Sequence, residues 1–243
     1  MTTPRFYNSS AVLRGLSYAA GGRVPPPPYP YLASVERFDG GAHSTWALVA
    51  SMGTGRYGFA LIALEEGGPS HHGGMLVAAG GCGGNFCTSA EAYDPVADQW
   101  AVIAHMATKR WGCAGAALHG KAYVSGGLGN NNNALAIVEV YDPAHPEAGW
   151  AAAPKMLGTP RRGHAAAALV VGGTARIYVS GGTTDSGGDG DGDGDGDGGG
   201  GSTLLATAEA LGAHWHECNA AAPGGGGCTV CAACCDAKAP VQD

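Results

Sequence analysis

Short apolar runs closed by a pair of glycines recur four times along this chain. LSYAAGG ends at Gly22, MLVAAGG at Gly81, AYVSGG at Gly127 and IYVSGG at Gly182. A polar or glycine-rich loop follows each. Then comes a second apolar run holding one acidic residue: SVERFD, AEAYD, IVEVYD and TAEALG, with Glu36, Glu91, Glu139 and Glu209. A tryptophan comes next, at Trp46, Trp100, Trp150 and Trp215. Runs of this length between turn residues predict strands in antiparallel meanders. The runs are nearly continuous rather than alternating, which predicts sheets covered on both faces. In the third unit the expected strands are CAGAALH, KAYVSG, AIVEVYD and a strand at Trp150. His119-Gly120 and Gly172-Gly173 predict tight hairpin turns between the first two strands of their units. Asp94-Pro95 and Asp142-Pro143 predict turns after the third strand, with Asp closing the loop and Pro fixing φ.

An arginine opens each unit: RFYN at Arg5, RYGF at Arg56, RWGC at Arg110 and RRGH at Arg161. The intervals are 56 − 5 = 51, 110 − 56 = 54 and 161 − 110 = 51 residues. Met52 and Met106 each stand four residues before the next arginine, and Met156 stands five before. Marks recurring in one order resemble the kelch repeat, whose period is about 50 residues. The resemblance covers roughly Arg5 to Asn219, and units two and three match best. Unit four departs, with Leu211 and Gly212 where Tyr and Asp are expected. The resemblance implies an all-β propeller of four recognisable four-stranded blades, in a ring that four blades either close or leave open. The expected division is a propeller over 1–219, with blades at about 5–55, 56–109, 110–160 and 161–219, and a Gly/Cys-rich disordered tail over 220–243. A blade cannot bury its faces alone, so neighbours must stack.

Composition narrows the function. Gly is 44 of 243 residues and charged residues are 14%, which disfavours a helical bundle. The net charge of −7 with no run of Lys or Arg argues against nucleic acid. MTTPRFYNSS has no apolar signal core, and no stretch reaches the about 18 apolar residues of a membrane span. The expectation is a cytoplasmic protein, with the nucleus also open to it, whose eight cysteines are reduced thiols.

Most repeated residues read as scaffold. Gly-Gly, Tyr93, Tyr141, Trp100 and Trp150 recur as building units, and four copies of a glutamate do not make one asymmetric catalytic centre. The arginines stand apart. By resemblance to some kelch proteins, Arg5, Arg56, Arg110 and Arg161 would ring the mouth of the central channel and hold an acidic partner segment; a planar guanidinium fork suits carboxylates. The alternative is a structural ion pair with a blade glutamate. The expected function is a protein-binding propeller, as the substrate-recognition part of a cullin-type ubiquitin ligase adaptor or as a scaffold, with self-association if the ring is open. No BTB or F-box domain is visible. The resemblance also reaches galactose-oxidase-like copper enzymes and sialic-acid epimerases. The copper type needs two His, two Tyr and a cross-linked Cys, and nothing in the spacing of Cys87, Cys113, Tyr93, His119 and His164 selects them. No cofactor or metal is expected.

Three segments lie outside the repeat. GGDGDGDGDGDGGGGS, Gly187 to Ser202, is low complexity and reads as a flexible loop. Counting from Asp189, the twelfth position is Gly200, where a calcium loop needs Glu. PPPPYP, Pro25 to Pro30, suggests a polyproline II segment for an SH3-like or WW-like reader, or a stiff loop. CTVCAACC carries Cys228, Cys231, Cys234 and Cys235, with His214, His216 and Cys218 upstream. Its crowding argues for oxidisable thiols over a zinc site of two separated pairs.

Overall fold

The structure, a computed structural model, describes residues 1–41, 45–66, 73–81, 83, 87–153, 158–184 and 208–211. The Asp-Gly tract, Met156, Trp215 and the cysteine-rich tail lie outside them. Four antiparallel sheets follow one another along the chain. The first is β1 (Ser9–Leu13), β2 (Leu16–Ala20), β3 (Val35–Phe38) and β4 (Ala47–Val49). The second is β5 (Ala60–Leu64), β6 (Met75–Ala79), β7 (Ala90–Asp94) and β8 (Gln99–Ile103). The third is β9 (Ala114–Leu118), β10 (Lys121–Ser125), β11 (Val138–Tyr141) and β12 (Trp150–Ala153). The fourth holds β13 (Ala165–Val171), β14 (Thr174–Ser180) and β15 (Ala208–Leu211) among the described residues. Each sheet is a meander in sequence order, as the apolar runs predict. No described helix is long and apolar enough to cross a membrane.

The hairpins form where expected. β9 and β10 pair from Leu118–Lys121 outward, joined by His119 and Gly120 at φ 49° and 71°. Two successive left-handed residues match the twist of the strands they join. After the third strand, Asp94 Oδ1 accepts the backbone N–H groups of Val96 and Ala97 at 2.8 and 3.1 Å. Of the two alternatives for the Pro25–Pro30 segment, the structure shows the loop. Its residues bend, and Tyr29 donates its N–H to the Pro26 carbonyl at 3.4 Å, so it is a turn and not an extended polyproline II strand.

Neighbouring sheets cover both faces of the second. Leu61, Leu76, Ala78 and Tyr93 pack on Leu13, Tyr18, Ala20 and Val35 of the first sheet. Ile62, Met75, Val77 and Ala79 pack on Cys113, Ala122 and Val124 of the third. This is why β6 is buried at every position. The third sheet then offers Ala116, Leu118 and Tyr123 to Ile177 and Val179 of the fourth. The far face of β13 stays open, with Leu169 and Val171 51% and 57% exposed. The outer strands add directional links. Trp100 and Trp150 stack on Tyr93 and Tyr141, and their indole N–H groups donate to Ala50 and Ala104, which belong to the preceding units, both at 2.9 Å.

The glycine pairs close the second strands, the first glycine against the next unit at Gly21 and Gly80 and the second against the opening segment of its own unit. At Gly81, φ is 65°, and a Cβ would lie 2.5 Å from the Tyr57 carbonyl oxygen. Gly120 has φ 71° with open space around it. Gly120→Ala is therefore expected to cost only the backbone strain, about 1–2 kcal/mol. Gly81→Ala is expected to cost clearly more, because the blade itself must shift. Trp100→Phe, which leaves the Ala50 carbonyl unpaired, should cost about 1–3 kcal/mol. Urea unfolding of the three variants measures these differences, and equal losses at Gly81 and Gly120 would contradict the packing argument.

Candidate functional site

The conserved geometry of the first three units is a buried arginine–glutamate junction. Arg56 donates from Nη2 to Glu91 Oε1 at 2.9 Å and from Nη1 to the carbonyls of Gly80 and Ser89 at 2.8 and 3.0 Å. Arg110 repeats this with Glu139 at 2.6 Å and the carbonyls of Gly126 and Ile137 at 2.8 and 3.1 Å. Arg5 does so with Glu36 at 2.8 Å and the carbonyls of Gly21 and Ser34 at 2.8 and 3.0 Å. Each carboxylate also accepts two backbone N–H groups from the segment before the arginine. These are Thr2 and Thr3 on Glu36, Gly53 and Thr54 on Glu91, and Ala107 and Thr108 on Glu139. One guanidinium thus ties the end of the second strand to the third, while the glutamate ties the third strand to the incoming linker.

A signal for this was present and unread. Every arginine is preceded at two residues by threonine: Thr3, Thr54, Thr108 and Thr159. In the first three units the linker brings the backbone N–H of that threonine to the carboxylate its arginine binds. The backbone of the same arginines joins blades. Gly22, Gly81 and Gly127 donate their N–H groups to the carbonyls of Arg56, Arg110 and Arg161 at 2.7, 2.9 and 2.8 Å. Two residues on, Gly58, Gly112 and Gly163 donate to the carbonyls of Tyr7, Gly58 and Gly112 at 3.1, 2.7 and 2.8 Å, a ladder running from unit to unit.

The expected ring of arginines at a channel mouth is not what this geometry offers. Arg56, Arg110 and Arg161 are wholly buried, and so is the Arg5 side chain. Arg161 donates to the Gly181 carbonyl at 2.9 Å, as its counterparts do to their first glycines. The geometry favours the structural ion pair over contact with a partner. Burial disfavours the Glu36 carboxylate, but hydrogen bonds from the Thr2 N–H, the Arg5 guanidinium, the Thr2 hydroxyl and the Thr3 N–H outweigh it and hold its pKa at about 2.

The residues considered for copper lie in separate surroundings. Tyr93 donates to Asp98 Oδ1 at 2.8 Å under Trp100, and His119 sits exposed in its hairpin turn. Cys113 is a buried free thiol, pushed up in pKa by that burial. Cys87 is disulfide-bonded, which corrects the expectation that all eight cysteines are reduced. His164 Nε2 lies 2.8 Å from Ser125 Oγ, and its buried Nδ1 has no hydrogen-bond partner. Burial, with Arg161 and Arg110 nearby, lowers the pKa of His164 to about 4. No group of three or more His, Cys, Asp or Glu that could hold a metal occurs among the described residues.

The arginine end of the sheets, where the T-x-R linkers and the β2–β3 loops meet, carries an aromatic cluster. Phe6, Tyr57 and Trp111 directly follow Arg5, Arg56 and Arg110, and Tyr7, Tyr29 and Tyr31 join them. Tyr31 and Tyr57 stack at 5.2 Å and 9°. Glycines make room for the rings: a Cβ at Gly58 would lie 2.4 Å from Trp111 Nε1, and one at Gly55 2.9 Å from the Tyr31 carbonyl. The Arg23 guanidinium lies over four of the rings, 5.0 Å from the Tyr29 centroid, 5.3 Å from those of Tyr31 and Tyr57, and 6.0 Å from that of Phe6. Its Nε donates to the Tyr29 carbonyl at 3.3 Å. The aromatic after each of the first three arginines was a signal in the sequence, but Arg23, Tyr29 and Tyr31 come from a loop that shares no spacing with them.

Removing one partner of a buried pair strands the other charge. Arg110→Ala is expected to cost about 3–5 kcal/mol, comparable to deleting a core aromatic. Near-native stability in denaturant titration would return the arginines to a partner-binding role. Stability should also fall on acidification in two windows. His164 is neutral in the fold, so its contribution is complete above pH 6.5 and lost as pH drops toward about 4. Glu36 is ionised in the fold, so its contribution is complete above its unfolded value of 4.5 and lost as pH drops toward about 2. Thermal unfolding across this range measures both, and His164→Gln should abolish the upper window alone.

The junctions, glycine pairs and blades agree with independent likenesses. A Kelch motif profile matches residues 68–107. Human Kelch-like protein 33 is 34% identical over 161 residues, 65% of this chain and 28% of that protein. Mouse Kelch-like protein 35 is 32% identical over 137 residues, 56% of this chain and 21% of that protein. An F-box/kelch-repeat protein of Arabidopsis thaliana is 35% identical over 89 residues, 36% of this chain and 22% of that protein. The chain therefore spans between about a fifth and three tenths of the length of these curated relatives. The solved structure of YjhT superimposes with a TM-score of 0.58 at 15% identity, over 76% of this chain and 62% of that one, and shows the fold alone. Four T-x-R linkers, four glycine pairs, antiparallel blades in series and these likenesses together show a chain of kelch repeats with a β-propeller fold, similar in sequence to the repeats of kelch-like proteins.

Proposed function

We propose that this propeller is a protein-interaction module that receives an acidic segment of its partner on the arginine end. The observation that carries this reading is the separation, among the described residues, of the charge on the loops at the two ends. Arg23, Lys109 and Arg162 lie at the arginine end, where Glu36, Glu91 and Glu139 are buried in their junctions. Asp39, Glu65, Glu66, Asp94, Asp98 and Asp142 lie at the opposite, hairpin end, where Lys121 and Arg14 are engaged with Asp142 and Glu65. Exposed aromatic rings at the arginine end add contact area, with Tyr7 59% and Tyr31 39% exposed. Aromatic residues and arginine are the usual anchors of protein interfaces. The finer reading is that the propeller supplies substrate recognition to a cullin-type ubiquitin ligase adaptor. It is supported by likeness to a protein named for an F-box beside its kelch repeats.

A photo-crosslinking residue at position 7 should capture the partner in the source cell. The same residue at Val96, 80% exposed at the hairpin end, should not. Capture should weaken as salt rises from about 50 to about 500 mM, because exposed charges are screened. Capture from position 96 alone would reverse the assignment of ends. For the adaptor role, loss of this chain should lengthen the lifetime of the captured protein; an unchanged lifetime would remove that role and leave the binding module.

A further inference from the structure

We infer that Arg23, held among Phe6, Tyr29, Tyr31 and Tyr57, is the anchor that grips a single carboxylate side chain, Glu or Asp, of the partner. This rests on the reading of the arginine end as the partner-binding end. Arg5, Arg56, Arg110 and Arg161 are buried at that end and committed to carbonyls, the first three also to glutamates. Arg23 is different. It is partly exposed and has no ion pair among the described residues, and its one hydrogen bond uses Nε. Its two Nη groups make none to a described residue, and neither is sealed off as a buried, unpartnered atom. They form the outer edge of the fork, the edge a carboxylate engages with two parallel bonds.

The rings decide how strongly that edge acts. Four aromatic faces stabilise the guanidinium as a cation and fix its plane. They also displace water from its sides, so an arriving carboxylate meets a pre-oriented donor in reduced dielectric. An unrestrained surface arginine would lose rotamer freedom on binding, whereas Arg23 has already been ordered by its cage. Tyr7 and Tyr31 flank the site with exposed faces, so an apolar or aromatic residue next to the acidic one has a surface to cover. One guanidinium matches one negative charge. A phosphate, nearly doubly charged, is ordinarily met by an arginine cluster, so the carboxylate is the better fit.

The test is an array of nine-residue peptides with randomised flanks and a central Glu, Gln or phosphoserine, probed with the full chain. A parallel chain with Asp185, Asp189, Asp191, Asp193, Asp195 and Asp197 replaced by Asn keeps self-competition from hiding binding. Enriched peptides are then titrated by fluorescence polarisation against wild type, Arg23→Lys, Arg23→Gln and Tyr7→Ala. Near-UV circular dichroism confirms that the aromatic cluster survives. Central Glu should be selected over Gln. Arg23→Lys, which keeps the charge but not the fork, should weaken binding about tenfold. Tyr7→Ala, at an exposed ring, should weaken it about threefold. Glu peptides bound equally by wild type and both Arg23 variants would overturn the anchor while leaving the arginine end as the binding end. Preference for phosphoserine would overturn the carboxylate assignment. No enriched peptide with position-7 crosslinks intact would also overturn the inference, and loss of both would overturn the binding-end reading with it.

Discussion

The structure depends on a charged group kept out of water at the root of each blade. A buried guanidinium is tolerable when its charge meets an opposite one and most of its donors find acceptors, as here, where Nε of Arg5 and of Arg110 goes without a hydrogen bond among the described residues. Here two glycine-pair and loop carbonyls and one glutamate meet it, and that glutamate in turn takes two linker N–H groups. The junction therefore fixes three chain segments relative to one another, and the fold repeats around it. Hydrophobic packing between sheets contributes most of the stabilisation but is tolerant of sliding. The junction is directional and sets where each linker must run.

That constraint explains why the arginine end is where partner binding is argued. Holding the linkers in place also holds the residue after each arginine, and in the first three units that residue is Phe6, Tyr57 or Trp111. The buried arginine positions a half-buried aromatic, while glycines at 55 and 58 leave room for the rings. Stability and recognition thus share a short stretch of chain, with inward side chains serving the first and outward ones the second. The hairpin end carries acidic turns whose side chains are used locally, as Asp94, Asp98 and Asp142 show by capping their own loops or bonding Tyr93 and Lys121.

The stack is uneven along its length. Between the second and third sheets both surfaces are apolar and closed. β13 presents Leu169 and Val171, of which Leu169 occupies the position that Leu118 holds in β9, but to solvent. The same side-chain pattern is core in one unit and surface in the next, since burial belongs to the neighbour and not to the strand.

The sequence by itself determined the repeat, its period, the order of strands within a unit and the hairpin turns, because these follow from local chemistry. Apolar runs favour strands, paired glycines accept left-handed turns, and Asp-Pro ends a strand. Tertiary structure decided what the arginines and Arg23 do. Arg5, Arg56, Arg110 and Arg161 are equally compatible, as letters, with an open channel mouth and with a buried junction. Only the approach of the glutamate, some 30 residues away in the chain, made the first three internal. Arg23 bears no repeated spacing at all. Its surroundings come from Phe6, the Tyr29–Tyr31 loop and Tyr57 of the next unit, and such a cage exists only once two blades have packed.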